Sequence, residues 1–118
     1  MHPEPVELDR PEPGVVVLRA KGDVDAYTAP GLRAQLHEAT AGAAGLVVVD
    51  LAEITFIDSA GLGTLVGAHR RMREAGGRLR IVRPPALVAR AFELTGLDEV
   101  LDLADDCEQA LVGPADPG

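Results

Sequence analysis

Several residue types are scarce in this sequence, and each scarcity argues against a class of protein. The 118 residues include a single cysteine, no tryptophan, one tyrosine and two phenylalanines. The lone cysteine, Cys107, cannot form an internal disulfide, which is typical of a reducing compartment. No apolar stretch reaches the ~18–20 residues of a membrane-spanning helix. Because residues 1–5 do not form a basic and apolar leader, we expect a soluble cytoplasmic protein.

Basic side chains are outnumbered in this chain. There are 19 acidic and 11 basic side chains, which gives a formal net charge of −8 at pH 7. A protein that binds nucleic acid directly needs a basic surface that displaces counterions from the phosphates, so we expect no direct nucleic-acid contact. An acidic protein would instead attract a basic surface on a partner.

The plentiful residues are aliphatic, and their spacing alternates between strand and helix patterns. The run Leu46–Leu51 is typical of a buried parallel strand, whereas apolar residues three and four apart in residues 28–40 indicate a helix. The element order β-β-α-β-α-β-α-β-α predicts a single α/β domain whose mixed, mostly parallel sheet is packed with helices. Strands are predicted near residues 6–8, 15–20, 46–51, 79–82 and 100–103, with a short segment at residues 54–57 before the second helix. Helices are predicted near residues 28–40, 59–74, 85–95 and 105–112.

Local signals refine these elements. Thr28 is a candidate N-cap of the first helix, and Gly76-Gly77 is a typical end for the second. A hairpin is expected across residues 11–14. The inner face of the third helix is predicted to comprise Leu87, Val88, Ala91 and Phe92.

The usual enzyme motifs are incomplete. Ser59 follows a predicted strand, as a hydrolase nucleophile would, but Ile57 occupies the position where the nucleophile elbow needs glycine. His69 is expected to be a half-buried helix residue rather than a general base. Three dispersed histidines and one cysteine give no metal-ligand spacing. The glycines at 61 and 63 lack the lysine of a Walker loop, since Lys21 is the only lysine. We expect these two glycines instead to let the first turn of the second helix approach other backbone closely.

Ser59 supports two interpretations. Its hydroxyl could cap the second helix by accepting a hydrogen bond from an early backbone N–H group. Alternatively, an exposed serine at this turn could be phosphorylated, which adds about −1.5 to −2 charges that a helix N-terminus tolerates. Asp58 adjoins Ser59, and Asp23 and Asp25 follow a strand that runs in the same direction, so these carboxylates are expected at the same edge of the sheet.

Five segments together resemble the STAS domain of bacterial anti-sigma factor antagonists. They are Gly22–Asp25, Val47–Leu51, Ile57–Gly63, Gly76-Gly77 and Ala91–Leu97. The resemblance covers roughly residues 6–112, so we expect a STAS-like domain over residues 6–112 with tails at residues 1–5 and 113–118.

The resemblance implies a function by partner exchange. Family members bind an anti-sigma factor that is also a GHKL-type serine kinase, and they thereby release a sigma factor for transcription. The kinase phosphorylates a serine that matches Ser59, the complex dissociates, and a phosphatase restores binding. ATP belongs to the kinase, so the chain itself is expected to hold no cofactor and to catalyse nothing. The residues that the resemblance assigns to partner binding are Asp23, Asp25, Asp58, Ser59, Ala60, Gly61, Leu62 and Gly63.

Two departures and two alternatives accompany this resemblance. Ala60 stands where many relatives have serine or threonine, and Asp23 stands where glutamate is common, which shortens its reach. A STAS scaffold subunit of a lipid-transport or stress-signalling complex would share the fold without a phospho-switch. A small hydrolase that uses Ser59 as nucleophile is disfavoured by the missing glycine and base.

Overall fold

Strands and helices alternate along the computed structural model, which describes residues 6–41 and 45–106. The strands form where apolar residues occur in continuous runs, and the helices form where apolar residues are three and four positions apart. In chain order the elements are β1 Val6–Glu12, β2 Val15–Val24, α1 Ala29–Ala41, β3 Leu46–Ile57, α2 Ser59–Glu74, β4 Arg78–Val82, α3 Ala86–Thr95, a 3₁₀ turn Leu97–Glu99, and β5 Asp102–Ala104.

The five strands form one mixed sheet in the order β1-β2-β3-β4-β5. The β1–β2 pair is antiparallel, and the other three pairs are parallel. The hairpin turns at Pro13-Gly14, where Gly14 has φ 81°, a conformation that favours glycine. The predicted α/β fold with a mostly parallel sheet is therefore confirmed. Because β2 and β3 are parallel, their C-terminal ends, Val24 and Ile57, are neighbours.

One face of the sheet packs against all three helices in the described part of the chain. Phe92, Leu36 and Leu65 are fully buried there, against aliphatic residues of β2, β3 and β4. Burial of each such side chain contributes about 1.5–3 kcal/mol. In α3, Val88 and Phe92 are buried as predicted, but Leu87 is 59% exposed. The prediction for Leu87 is wrong because this short helix rests on the sheet along the i, i+4 stripe that Val88 and Phe92 define.

Three predicted elements differ from the structure. The strand expected at residues 46–51 continues through the short segment at residues 54–57 as one strand, β3, because register shifts against β2 accommodate the residues between them. The last strand begins at Asp102 rather than residue 100, since Gly96 ends α3 in the left-handed conformation and a 3₁₀ turn follows. The helix expected over residues 105–112 is absent at its first two residues, which are bends, and residues 107–112 lie outside the described residues.

The predicted tails, residues 1–5 and 113–118, also lie outside the described residues. The same is true of Cys107. In the part of the chain that the structure describes, no helix is long and apolar enough to cross a membrane.

Candidate partner-binding site

Two turns lie side by side at the C-terminal edge of the sheet. Val24 pairs with Ile57 in the parallel register, and the backbone N–H of Asp58 donates to the carbonyl of Val24 at 3.1 Å. The turn after β2, which holds Asp25, is therefore adjacent to the turn after β3, which holds Asp58 and Ser59. This arrangement was expected from the common direction of the two strands, and the structure confirms it.

Asp58, and not Ser59, caps helix α2. Its backbone is extended, with φ −116° and ψ −170°, and its Oδ1 accepts hydrogen bonds from the N–H groups of Ala60 at 2.9 Å and Gly61 at 3.2 Å. These are the second and third helical residues, whose N–H groups have no partner inside the helix. The interpretation of Ser59 as the N-cap is therefore wrong, because the carboxylate one residue earlier already fills that role.

Ser59 is the first residue of α2 and is exposed. Its hydroxyl makes no hydrogen bond within residues 6–41 and 45–106. A hydroxyl that neither caps the helix nor joins a network is available to a modifying enzyme. It also sits at the positive end of the helix dipole, where an added anion is stabilised.

Gly61 allows the first turn of α2 to contact β2. A Cβ atom at this position would lie 2.7 Å from the Cγ1 atoms of both Val24 and Ile57, and 2.9 Å from the carbonyl oxygen of Val24. Gly63 differs, since a Cβ there would meet no described residue within 4 Å. The sequence-based expectation of close backbone approach is thus confirmed for Gly61 and wrong for Gly63, which instead leaves a smooth, exposed patch of helix.

The two acids after β2 have different surroundings. Asp25 Oδ1 accepts hydrogen bonds from the N–H groups of Tyr27 at 2.9 Å and Thr28 at 3.0 Å. The Thr28 N–H group above all, together with the Tyr27 N–H and the Thr28 hydroxyl, lowers the pKa of Asp25 below its ordinary value. Asp25 therefore orders the turn that leads into α1. Thr28 directly precedes α1, and its carbonyl accepts from the Leu32 N–H group at 3.4 Å, as predicted for an N-cap residue. Its hydroxyl, however, accepts from the backbone N–H of Asp25 rather than from a helical N–H group.

Asp23 is exposed and receives a hydrogen bond from Thr55. The Thr55 hydroxyl donates to Asp23 Oδ1 at 2.6 Å. The sequence pattern gives no indication of Thr55, because its pairing with Asp23 depends on a register shift between Gly22 and Asp23 that no spacing rule predicts. The bond holds the Asp23 carboxylate beside β3.

Two aromatic side chains are exposed near this edge. Tyr27 is 84% exposed in the turn before α1, and Phe56 is 44% exposed near the end of β3, opposite Asp23. The sequence shows only that aromatic residues are few, and it does not predict that these two are exposed. Exposed aromatic residues are frequent anchors of protein–protein interfaces, so their exposure marks them as functional candidates.

Of the remaining residues predicted to contact a partner, Ala60 and Leu62 are partly buried.

Neither of the two described histidines, His37 and His69, forms a hydrogen bond with Ser59. His69 lies ten residues further along α2, which corresponds to about 15 Å of helix rise. It is 8% exposed, more deeply buried than the half-buried position expected, and neither ring nitrogen has a hydrogen-bond partner among the described residues. Burial first, and the charge of Arg73 second, lower the pKa of His69. The described residues also contain no cluster of three His, Cys, Asp or Glu side chains that could hold a metal ion.

Residues 9–110 match the family model of the STAS domain. The chain belongs to the STAS domain family. Two relatives have names that describe their role. One is the anti-sigma-B factor antagonist of Bacillus subtilis strain 168, with 32% identity over 79% of this chain and 84% of the relative. The other is the anti-sigma-B factor antagonist of Listeria monocytogenes serovar 1/2a, with 29% identity over 83% of this chain and 86% of the relative.

Solved structures of similar STAS proteins agree with this fold. An anti-sigma factor antagonist from Mycobacterium paratuberculosis superimposes with a TM-score of 0.81 and 27% identity, over 91% of this chain and 90% of that one. The unphosphorylated form of the anti-sigma factor antagonist SpoIIAA superimposes with a TM-score of 0.74 and 26% identity, over 87% of this chain and 90% of that one. The phosphorylated form of SpoIIAA from Bacillus superimposes with a TM-score of 0.69 and 25% identity, over 87% of this chain and 94% of that one. These relatives are regulatory binding proteins, which agrees with the expectation of a non-enzymatic role.

Proposed function

We propose that this chain is a cytoplasmic anti-sigma factor antagonist that is regulated by phosphorylation of Ser59. In its unmodified form it binds an anti-sigma factor that is also a GHKL-type serine kinase, and so frees a sigma factor. Phosphorylation by that kinase ends the complex, and a phosphatase reverses the modification. The observation that carries this proposal is the exposed Ser59 hydroxyl, which has no partner in the described residues while Asp58 caps the helix.

A phosphate on Ser59 is compatible with the fold. It would add about −1.5 to −2 charges at the N-terminus of α2, where the helix dipole favours an anion. Asp58 already satisfies two of the first N–H groups, so no cap has to be broken for the modification. The similarity to a structure described as the phosphorylated form of SpoIIAA supports the same view.

The same phosphate is expected to oppose binding. Ser59 is next to Asp58, and the turn with Asp23 and Asp25 lies alongside, so the modification enlarges an acidic surface. A new like-charge contact across an interface costs several kcal/mol. A loss of about 3 kcal/mol already reduces affinity more than 100-fold. One modification is therefore sufficient for a switch.

A phosphorylation assay tests the proposal directly, because Ser59 is the only serine in the sequence. The wild-type protein is incubated with each kinase-type anti-sigma factor of its source organism and ATP, and its intact mass is measured. We expect the gain of one phosphate in the wild type and no gain in Ser59→Ala. Thr95→Ala, which removes an exposed hydroxyl from α3, is the matched control and should be phosphorylated normally. An unmodified wild type would instead favour a STAS scaffold without a phospho-switch.

A further inference from the structure

A cleft between α1 and α2 opens beside Ser59. Its wider part has a volume of about 610 Å³ and is lined by residues that include Ala29, Pro30, Arg33 and Ala60. A hollow of about 280 Å³ continues along α2 and shares Arg33, Ala60 and Thr64 with the wider part. The hollow is also lined by Gly63, Gly67 and Arg71. We refer to the two parts together as the α1–α2 cleft.

Arg71 lies in this cleft with unused hydrogen-bonding capacity. Its Nε and Nη2 atoms are buried, and neither has a hydrogen-bond partner in the ranges that the structure describes. Its Nη1 atom would be 3.6 Å from a Cβ at Gly67, so the absence of a side chain there leaves room for the guanidinium group. Buried donors are normally paired, and a guanidinium group matches the two oxygens of a carboxylate in a fork-to-fork arrangement.

The charge in the cleft is opposite to that of the whole chain. Arg33 is exposed and forms no ion pair within the described residues. No described acidic side chain lines either part of the cleft, although the chain carries a net charge of −8. The N-terminus of α2, with its positive dipole end, also begins next to Ala60. The two arginines and the dipole all favour an anionic group in this position.

The shape of the cleft favours a protein segment over a small free anion. Ala29, Ala60, Gly63 and Gly67 present little side-chain volume, so a partner's backbone can approach closely. Pro30 and Ala34 add apolar surface beside Arg33, and a volume of about 610 Å³ exceeds what a single carboxylate or phosphate fills. Both parts of the cleft reach Ala60, the residue directly after Ser59.

We propose that Arg33 and Arg71 bind an acidic side chain of the protein partner whose docking Ser59 controls. The partner places a carboxylate between the two guanidinium groups and lays an apolar flank along Pro30 and Ala34. This inference rests on the proposed function, since it names the chemistry of the same partner at a second contact. It also explains how a strongly acidic protein presents a basic contact surface beside its acidic turns.

Three matched variants test the arginine pair. Arg33→Gln and Arg71→Gln each remove one charge from the cleft, whereas Arg70→Gln removes a charge from an exposed position on the same helix that does not line the cleft. Binding to each purified anti-sigma factor of the source organism is measured by calorimetry at low and high salt. We expect Arg33→Gln and Arg71→Gln to weaken affinity at least about tenfold, and Arg70→Gln to change it by less than about twofold. Added salt should weaken the wild type more than the two cleft variants.

The outcomes separate this inference from the proposed function. If the wild type binds an anti-sigma factor and both cleft variants bind it with unchanged affinity, the proposed role of the two arginines is wrong. The proposed antagonist function is unaffected by that result. A wild type that binds none of the anti-sigma factors overturns both. Thermal unfolding of each variant is recorded in parallel, and Arg33→Gln, an exposed substitution, decides the result if Arg71→Gln does not fold.

Discussion

Gly61 lies directly against Val24, so that a Cβ atom at position 61 would be 2.7 Å from Val24 Cγ1 and 2.9 Å from the Val24 carbonyl oxygen. This contact fixes the first turn of α2 on the end of β2, and it thereby sets the position of Ser59 relative to the turn with Asp23 and Asp25. The geometry of the candidate site thus depends on a residue that is itself buried.

Gly61→Ala is expected to destabilise the protein by about 1–3 kcal/mol, because the new methyl group overlaps the backbone and side chain of Val24 in β2 and the side chain of Ile57 in β3. Gly63→Ala is the matched control in the same helix. The new Cβ would meet nothing within 4 Å among residues 6–41 and 45–106, and the change from glycine to alanine inside a helix should stabilise the fold by up to ~1 kcal/mol. Urea unfolding measures both. Equal stability of the two variants would contradict the close contact between Gly61 and Val24.

Asp58→Ala is expected to cost about 1 kcal/mol of unfolding free energy, because the N–H groups of Ala60 and Gly61 lose their acceptor. Ser59→Ala should change stability by less than about 0.5 kcal/mol, since the hydroxyl makes no hydrogen bond within the described ranges. Thermal unfolding compares the two variants. A larger loss in Ser59→Ala than in Asp58→Ala would restore the assignment of Ser59 as the cap.

His69 predicts a loss of stability in mild acid. Its folded-state pKa is lowered from 6.5, chiefly by burial and further by Arg73, while Asp102 acts in the opposite direction. Both folded and unfolded chains hold a neutral ring well above pH 6.5, so there is no effect there. Below that pH the unfolded chain binds the proton first, and the free energy of unfolding falls as the pH falls.

Denaturant unfolding between about pH 7.5 and 5 measures this slope. We expect His69→Gln to have a shallower dependence on pH than the wild type. His37→Gln, which alters an exposed histidine, is the matched control for the substitution itself. Parallel curves for wild type and His69→Gln would contradict the assignment.

Tyr27→Ala and Phe56→Ala are expected to weaken partner binding by about 1 kcal/mol or more each, because both side chains are exposed at the edge that carries Ser59. Leu94→Ala is the control, since Leu94 is 72% exposed on α3. Calorimetric titration with the anti-sigma factor gives the three affinities. A larger loss of affinity in Leu94→Ala than in the two aromatic variants would show that the partner does not bind at this edge.

The sequence predicted those features that depend on local patterns. The bounds of α2, Ser59–Glu74, follow from a polar turn at one end and Gly76-Gly77 at the other. The parallel order of β2, β3 and β4 follows from the alternation of strands and helices, and it places the two acidic turns together.

Other features depend on atomic detail that a pattern does not contain. Asp58 and Ser59 are both good N-cap residues, and only the backbone angles decide between them. The Thr55–Asp23 hydrogen bond requires a register shift. The lack of a described partner for Arg71 Nε and Nη2 depends on which side chains surround them, and no sequence pattern contains that information. The exposure of Leu87 reflects how one short helix is rotated on the sheet.

Control of binding by Ser59 is tested by the affinity of the anti-sigma factor for the protein with and without a phosphate on this residue. Calorimetry on the purified, mass-verified phosphorylated and unmodified forms gives both dissociation constants under one buffer condition. We expect the phosphate to lower the affinity by at least about 100-fold while the thermal unfolding of the domain stays cooperative. Equal affinities of the two forms would contradict this expectation.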